Sequence, residues 1–107
     1  MPLVQLSESI ESLKLLCSEK GIVLFQIDNE FVSVALWDDS FFAFQNECPH
    51  SGAKLNRGRV NHIGEIVCPL HGYRFRLTDG VESHSKCQDL KTYEVIYDQD
   101  AVFLNWK

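Results

Sequence analysis

Apolar and polar positions change period twice along this chain, into a helical repeat and out of it. Between Ser7 and Lys20 the apolar residues Ile10, Leu13, Leu16 and Cys17 recur at helical spacing; Ser7 or Ser9 offers an N-cap and Gly21 a stop, which predicts a helix ending at Lys20. Leu3 to Leu6, ahead of it, reads as a short strand. Beyond Gly21 the pattern becomes short β-rich runs, Ile22 to Ile27, Phe31 to Trp37 and Phe41 to Gln45, separated by the turn residues Asp28-Asn29-Glu30 and Asp38-Asp39-Ser40. Tyr73-Arg74-Phe75-Arg76-Leu77 alternates like a half-buried strand and stops at Thr78-Asp79-Gly80. Lys91 to Tyr97 and Ala101 to Trp106 flank Asp98-Gln99-Asp100 as a closing hairpin. Short strands with turn signals every eight to twelve residues or so predict an all-β fold, an antiparallel β-sandwich or small barrel.

The stretch from about residue 46 to 72 fits none of these periods and reads as an insertion between strands. A length of 107 residues predicts one domain, 1–107, large enough to bury a core without disulfide staples, and neither repeats nor linkers divide it. With 45% apolar and 23% charged residues, the composition argues against disorder. No apolar run reaches the roughly 18 to 20 residues of a membrane span. The N-terminal residues lack the basic and apolar regions of a secretory signal, so the cytoplasm is the expected compartment. The net charge is −5, yet residues 49–76 carry five basic side chains against Glu65 alone, a local +4 that leaves −9 elsewhere. An acidic total without a basic-aromatic stripe argues against nucleic acid as a partner.

Candidate chemistry gathers inside that insertion. Cys48-Pro49-His50 and Cys68-Pro69-Leu70-His71 bring thiol and imidazole ligands together twice, as Cys-x-His and Cys-x-x-His, with 17 residues between His50 and Cys68. A Cys2His2 zinc finger runs Cys, Cys, His, His, whereas this order is Cys, His, Cys, His. Structural zinc nevertheless stays open, since a single tetrahedral ion accepts any order. Cys17 and Cys87 have no second ligand type beside them and read as reduced thiols packed as small apolar groups. His62, in Asn61-His62-Ile63-Gly64, reads as an exposed hairpin tip, and His84 has no ligand spacing either. Trp37 and Trp106 read as core or sheet-face residues.

The two-loop pattern resembles the Rieske 2Fe-2S family, in which two His replace two Cys on one iron. The likeness extends through Gly52-Ala53-Lys54-Leu55-Asn56-Arg57-Gly58-Arg59-Val60, through Gly72-Tyr73-Arg74-Phe75 and the turn Thr78-Asp79-Gly80, and covers about residues 22–106. It implies a Rieske-type β fold with an inserted two-loop subdomain and one 2Fe-2S cluster bound by Cys48, His50, Cys68 and His71. On that reading the cysteines serve one iron and the histidines the other. Pro49 and Pro69 would stiffen the loops, and Gly52 and Gly72 would let backbone N–H groups approach the sulfides.

High-potential relatives carry an extra Cys in each loop, joined as a disulfide, and a Ser and a Tyr that hydrogen-bond the cluster. Here Ala53 and Leu70 stand at the two Cys positions, and Tyr73 and Phe75 replace the Ser and the Tyr. The expected potential is therefore low, roughly −150 mV. Around Ser83-His84-Ser85-Lys86 the Pro-containing covering loop of many relatives has no Pro. The resemblance implies an electron carrier that takes single electrons from a reductase, expected to be flavin-dependent, and passes them to a terminal oxygenase-type enzyme, catalysing nothing itself. Lys54, Arg57 and Arg59 are expected near the docking face. Other readings are an accessory subunit like the small subunit of nitrite reductase, and a zinc-binding or redox-sensing interaction module.

Overall fold

The computed structural model describes residues 3–84 and 87–106. Its single α-helix, α1 (Ile10–Lys20), begins at Ser9 rather than Ser7, because the Ser9 hydroxyl accepts the Ser12 N–H at 2.9 Å. Gly21, at φ 82°, ends it by donating its N–H to the Cys17 carbonyl at 2.8 Å. The helix buries Leu13 and Cys17 and leaves Leu15 in solvent, the stripe its spacing predicts.

Among the described residues all strand pairings are antiparallel and fall into three sheets. Strands β1 (Leu3–Ser7), β10 (Ala101–Asn105) and β9 (Val95–Asp98) form one in that order; β2 (Ile22–Ile27), β3 (Glu30–Trp37), β4 (Ser40–Gln45) and β8 (Thr92–Tyr93) form the second. The third joins β5 (Arg59–Val60), β6 (Glu65–Val67) and β7 (Arg74–Arg76). Among the described residues the sheets do not close into a barrel. The hairpins β2–β3 and β3–β4 turn on Asp28-Asn29 and Asp38-Asp39, all four at positive φ, the residue types that tolerate the left-handed region of a tight two-residue turn.

The expected strand from Lys91 to Tyr97 is in fact two, because the chain changes sheets at Glu94: β8 pairs with β4, and β9 with β10. β5 and β6 are too short to show in the hydrophobic pattern, and β7 is shorter than the Tyr73 to Leu77 run.

The β2–β3–β4–β8 sheet is a shared wall between two cores. Val32, Val34, Phe41 and Ala43 face one core with Leu13, Val102 and Leu104; Ala35 and Phe44 face the other with Leu55, Ile66, Phe75 and Leu77. Burial on both faces explains why Phe41-Phe42-Ala43-Phe44 does not alternate. Cys48 and Cys68 belong to the second core, so the two loops rest on packed hydrophobic material. Ser85 and Lys86, in the segment expected to cover the site, lie outside the described residues.

Candidate metal centre

Backbone hydrogen bonds build the same knuckle twice. The Cys48 N–H donates to the Ala53 carbonyl at 2.9 Å, and the Cys68 N–H to the Tyr73 carbonyl at 2.8 Å, each closing a loop on the residue five positions on. The first loop is tightened by Gly52, whose N–H donates to the Cys48 carbonyl at 2.8 Å; the second turns back through His71 and Gly72, at φ 72° and 70°.

A buried amide anchors the first loop. The Asn46 side-chain oxygen accepts the Ser33 hydroxyl at 2.7 Å and the Asn56 N–H at 2.9 Å, while its backbone carbonyl accepts the Leu55 N–H at 2.7 Å. This ties both ends of the loop to β3. The second loop follows β6, where the buried Glu65 carboxylate accepts from the Ser83 hydroxyl at 2.6 Å and the Asn61 amide at 2.8 Å. These two bonds, with the Ser83 contribution the larger and the Arg74 charge assisting, hold its carboxyl below the ordinary range despite burial.

The four expected ligands fall into two pairs, thiols inside and imidazoles outside. Cys48 and Cys68 are 2% and 1% exposed, whereas His50 and His71 are exposed at the loop tips, with ring centroids 5.8 Å apart and planes at 73°. Burial pushes the Cys68 thiol up; the Leu70 backbone N–H and the Ser51 hydroxyl draw it down, and neighbouring Cys48 pushes it up further. Two adjacent buried thiols become thiolates readily only against metal charge. Among the described residues no three His, Cys, Asp or Glu side chains converge on one ion-sized point. A pair of buried thiols with a pair of exposed imidazoles suits a binuclear group with one pair per metal.

Two contacts at the site had only faint sequence signals. The Ser51 hydroxyl, on the first loop, lies 3.7 Å from the Cys68 sulfur, on the second. Its oxygen already accepts the Ala53 N–H at 3.2 Å, so its own proton is free for a Cys68 thiolate. Tyr73, notable in sequence only for replacing a Ser, stacks its ring on His50 at 3.8 Å between centroids. Ser51 looks like any loop serine, and neither contact can be read from spacing.

The remaining His, Cys and Trp side chains have other surroundings. His62 is exposed on the β5–β6 turn, and His84 is within 3.1 Å of the Arg74 guanidinium. Cys17 is a free, buried thiol pushed up to about 11 by desolvation. Cys87 is free and half-buried against the second core. Trp37 packs on Gly64, and Trp106 stacks on Tyr93 while its N–H donates to Asp28 at 3.0 Å.

Comparison with known proteins points the same way. The family model for the Rieske [2Fe-2S] domain matches residues 4–94. The biphenyl dioxygenase ferredoxin subunit of Pseudomonas sp. (strain KKS102) is 32% identical over 73 residues, covering 65% of this chain and 67% of that protein. The carnitine monooxygenase oxygenase subunit of Escherichia coli (strain K12) is 33% identical over 69 residues, 64% of this chain; the chain spans only 18% of that relative's length. Among solved structures, the ferredoxin of carbazole 1,9a-dioxygenase from Nocardioides aromaticivorans IC177 aligns over 100% of both chains with a TM-score of 0.83 at 28% identity. A protein assigned as an NADPH nitrite reductase small subunit aligns over 99% of this chain and 100% of its own at TM-score 0.77, and its 23% identity speaks for the fold alone.

Proposed function

The chain belongs to the Rieske [2Fe-2S] domain family, and from that premise we propose that it is a one-electron carrier whose cluster is held by Cys48, His50, Cys68 and His71. The observation that carries the reading is the segregation of ligands: two thiols buried in the second core and two solvent-facing imidazoles at the loop tips. When bound, a 2Fe-2S group supplies reversible one-electron chemistry at a potential set by its ligands and their hydrogen bonds.

The chain's own residues do the rest. Cys48 and Cys68 anchor the inner side in a dry core, where the Leu70 N–H and the Ser51 hydroxyl offset negative charge on the Cys68 sulfur. His50 and His71 form the outward edge, the short path for an electron to leave. Phe75 is fully buried and has no hydroxyl to offer, which supports a potential at the low end of the family range, below zero.

The partners we assign are a reductase, flavin-dependent, as electron donor and a terminal oxygenase as acceptor. The ferredoxin names of the biphenyl and carbazole dioxygenase relatives support the acceptor, and the matched structures include an oxygenase–ferredoxin complex of the carbazole system. Residues 1–107 act as one domain, with the region of about 46–72 as its cluster-binding insertion. Among the described residues no helix is long and apolar enough to cross a membrane, and we assign the protein to the cytoplasm. The nitrite reductase small-subunit reading has fold likeness alone behind it.

The purified protein is expected to be red-brown, to bleach with dithionite and to give, once reduced, an EPR signal with average g below 2, with about two irons and two acid-labile sulfides per chain. A colourless protein carrying stoichiometric zinc refutes the reading; permanent co-purification with a large reductase favours the accessory subunit.

A further inference from the structure

Carrier function leaves open what chemistry the exit face receives from a partner. Of the five basic side chains between residues 49 and 76, three face carboxylates of the same chain. Lys54 meets Glu47 at 3.0 Å, Arg76 meets Asp79 at 2.6 Å, and Arg74 lies 3.9 Å from Glu65. Arg57 and Arg59 are exposed and make no ion pair among the described residues.

These two arginines are carried on rigid backbone against the second loop. The Gly58 N–H donates to the Leu55 carbonyl at 2.8 Å, and Arg59 pairs with Val67 across β5 and β6. The Val67 carbonyl and the Pro69 ring fill the space a side chain at Gly58 would occupy, so Arg57-Gly58-Arg59 lies directly on the strand and loop that carry Cys68. Arg57 and Arg59 line an open groove of about 420 Å³ with Cys68, Pro69 and Gly72. Arg59 also borders a second groove, of about 460 Å³, with His71, Arg74, His84 and the buried Glu82.

We propose that Arg57 and Arg59 are the docking site for a carboxylate-rich surface of the redox partner, on the flank of the second loop next to His71; this rests on the carrier reading. A guanidinium with no ion pair among the described residues keeps its forked donors for an incoming carboxylate, whereas Lys54, Arg74 and Arg76 already have theirs opposed by carboxylates of this chain. The −9 carried outside residues 49–76 repels an acidic partner in other orientations and so steers it to this flank.

The test mixes reduced holoprotein with ferricyanide, a trianion, and with tris(phenanthroline)cobalt(III), a trication, over an ionic-strength series in a stopped-flow instrument. One electron passes from the protein to ferricyanide to give ferrocyanide, with no proton or covalent bond exchanged. A positive docking site makes the ferricyanide rate fall as salt rises even though the whole chain carries −5, and the cobalt rate takes the opposite slope. R57Q/R59Q slows ferricyanide about tenfold at low salt and reverses its slope, R57K/R59K keeps the slope, and K54Q changes the rate less than about twofold. The visible spectra of these variants stay that of the unmodified protein. A ferricyanide rate that rises with salt, or that K54Q and R57Q/R59Q alter equally, overturns the docking site and leaves the carrier reading standing. A protein with no chromophore that dithionite bleaches removes the carrier reading, and the docking site with it.

Discussion

The His50 imidazole lies flat on the Tyr73 phenol, with ring centroids 3.8 Å apart and planes 6° from parallel. A proposed ligand from the first loop is thereby oriented by a ring from the second. Replacing Tyr73 with Leu removes the flat partner, whereas Phe preserves it. Y73L is expected to shift the EPR g values and shorten the half-life of the bound cluster several-fold, with Y73F close to the unmodified protein. Identical spectra for Y73L and the parent would rule out an orienting role.

Ser51 predicts a change in potential. Its hydroxyl is the donor available to a Cys68 thiolate, at 3.7 Å, and a hydrogen bond to a ligand sulfur favours the reduced state by offsetting negative charge. S51A should lower the midpoint potential measured by protein-film voltammetry and leave iron and sulfide content unchanged. An upward shift would contradict the assigned direction of that bond.

Asn46 predicts a stability effect centred on the first loop. N46A leaves the Ser33 hydroxyl and the Asn56 N–H without their acceptor, and Ser33 is fully buried. The expected loss is about 2–3 kcal/mol, against about 1 kcal/mol for S33A, which leaves the Asn56 bond in place. Urea denaturation of both variants checks this order, and equal losses would show that Asn46 is not the hub.

Glu65 predicts a pH dependence. Its carboxyl is held below the ordinary value, near 4.3, chiefly by the Ser83 hydroxyl. A lowered folded-state pKa contributes stability above the ordinary value and loses it as pH falls through the lowered one. The stability advantage of the parent over E65Q should therefore be greatest at about pH 6–7 and shrink below about pH 4. Protonation of groups that do not interact with Glu65 is common to both proteins and cancels in that difference, and His84, which does interact with it, is removed by comparing the two in an H84Q background; a gap constant from pH 3 to 7 there would show that Glu65 contributes no such linkage.

The sequence by itself determined the family, the proposed ligand set and most of the elements. The order Cys48, His50, Cys68, His71 and the strands from Ile22 to Gln45 follow from local patterns, because ligand type, period and turn residues are written in neighbouring positions. Contacts between segments distant in the chain were not legible. Ser51 meets Cys68 and His50 meets Tyr73 only after both knuckles close, and Asn46 becomes a hub only when β3 supplies Ser33. The break at Glu94 likewise depends on which sheet edges are free, so it left no mark in the pattern. Arg57 and Arg59 looked equivalent to Lys54 in sequence; folding separated them by bringing Glu47 to Lys54, while among the described residues neither arginine makes an ion pair. Hydrogen bonds and ion pairs act over a few ångströms, and only the packed chain decides which distant side chains come that close.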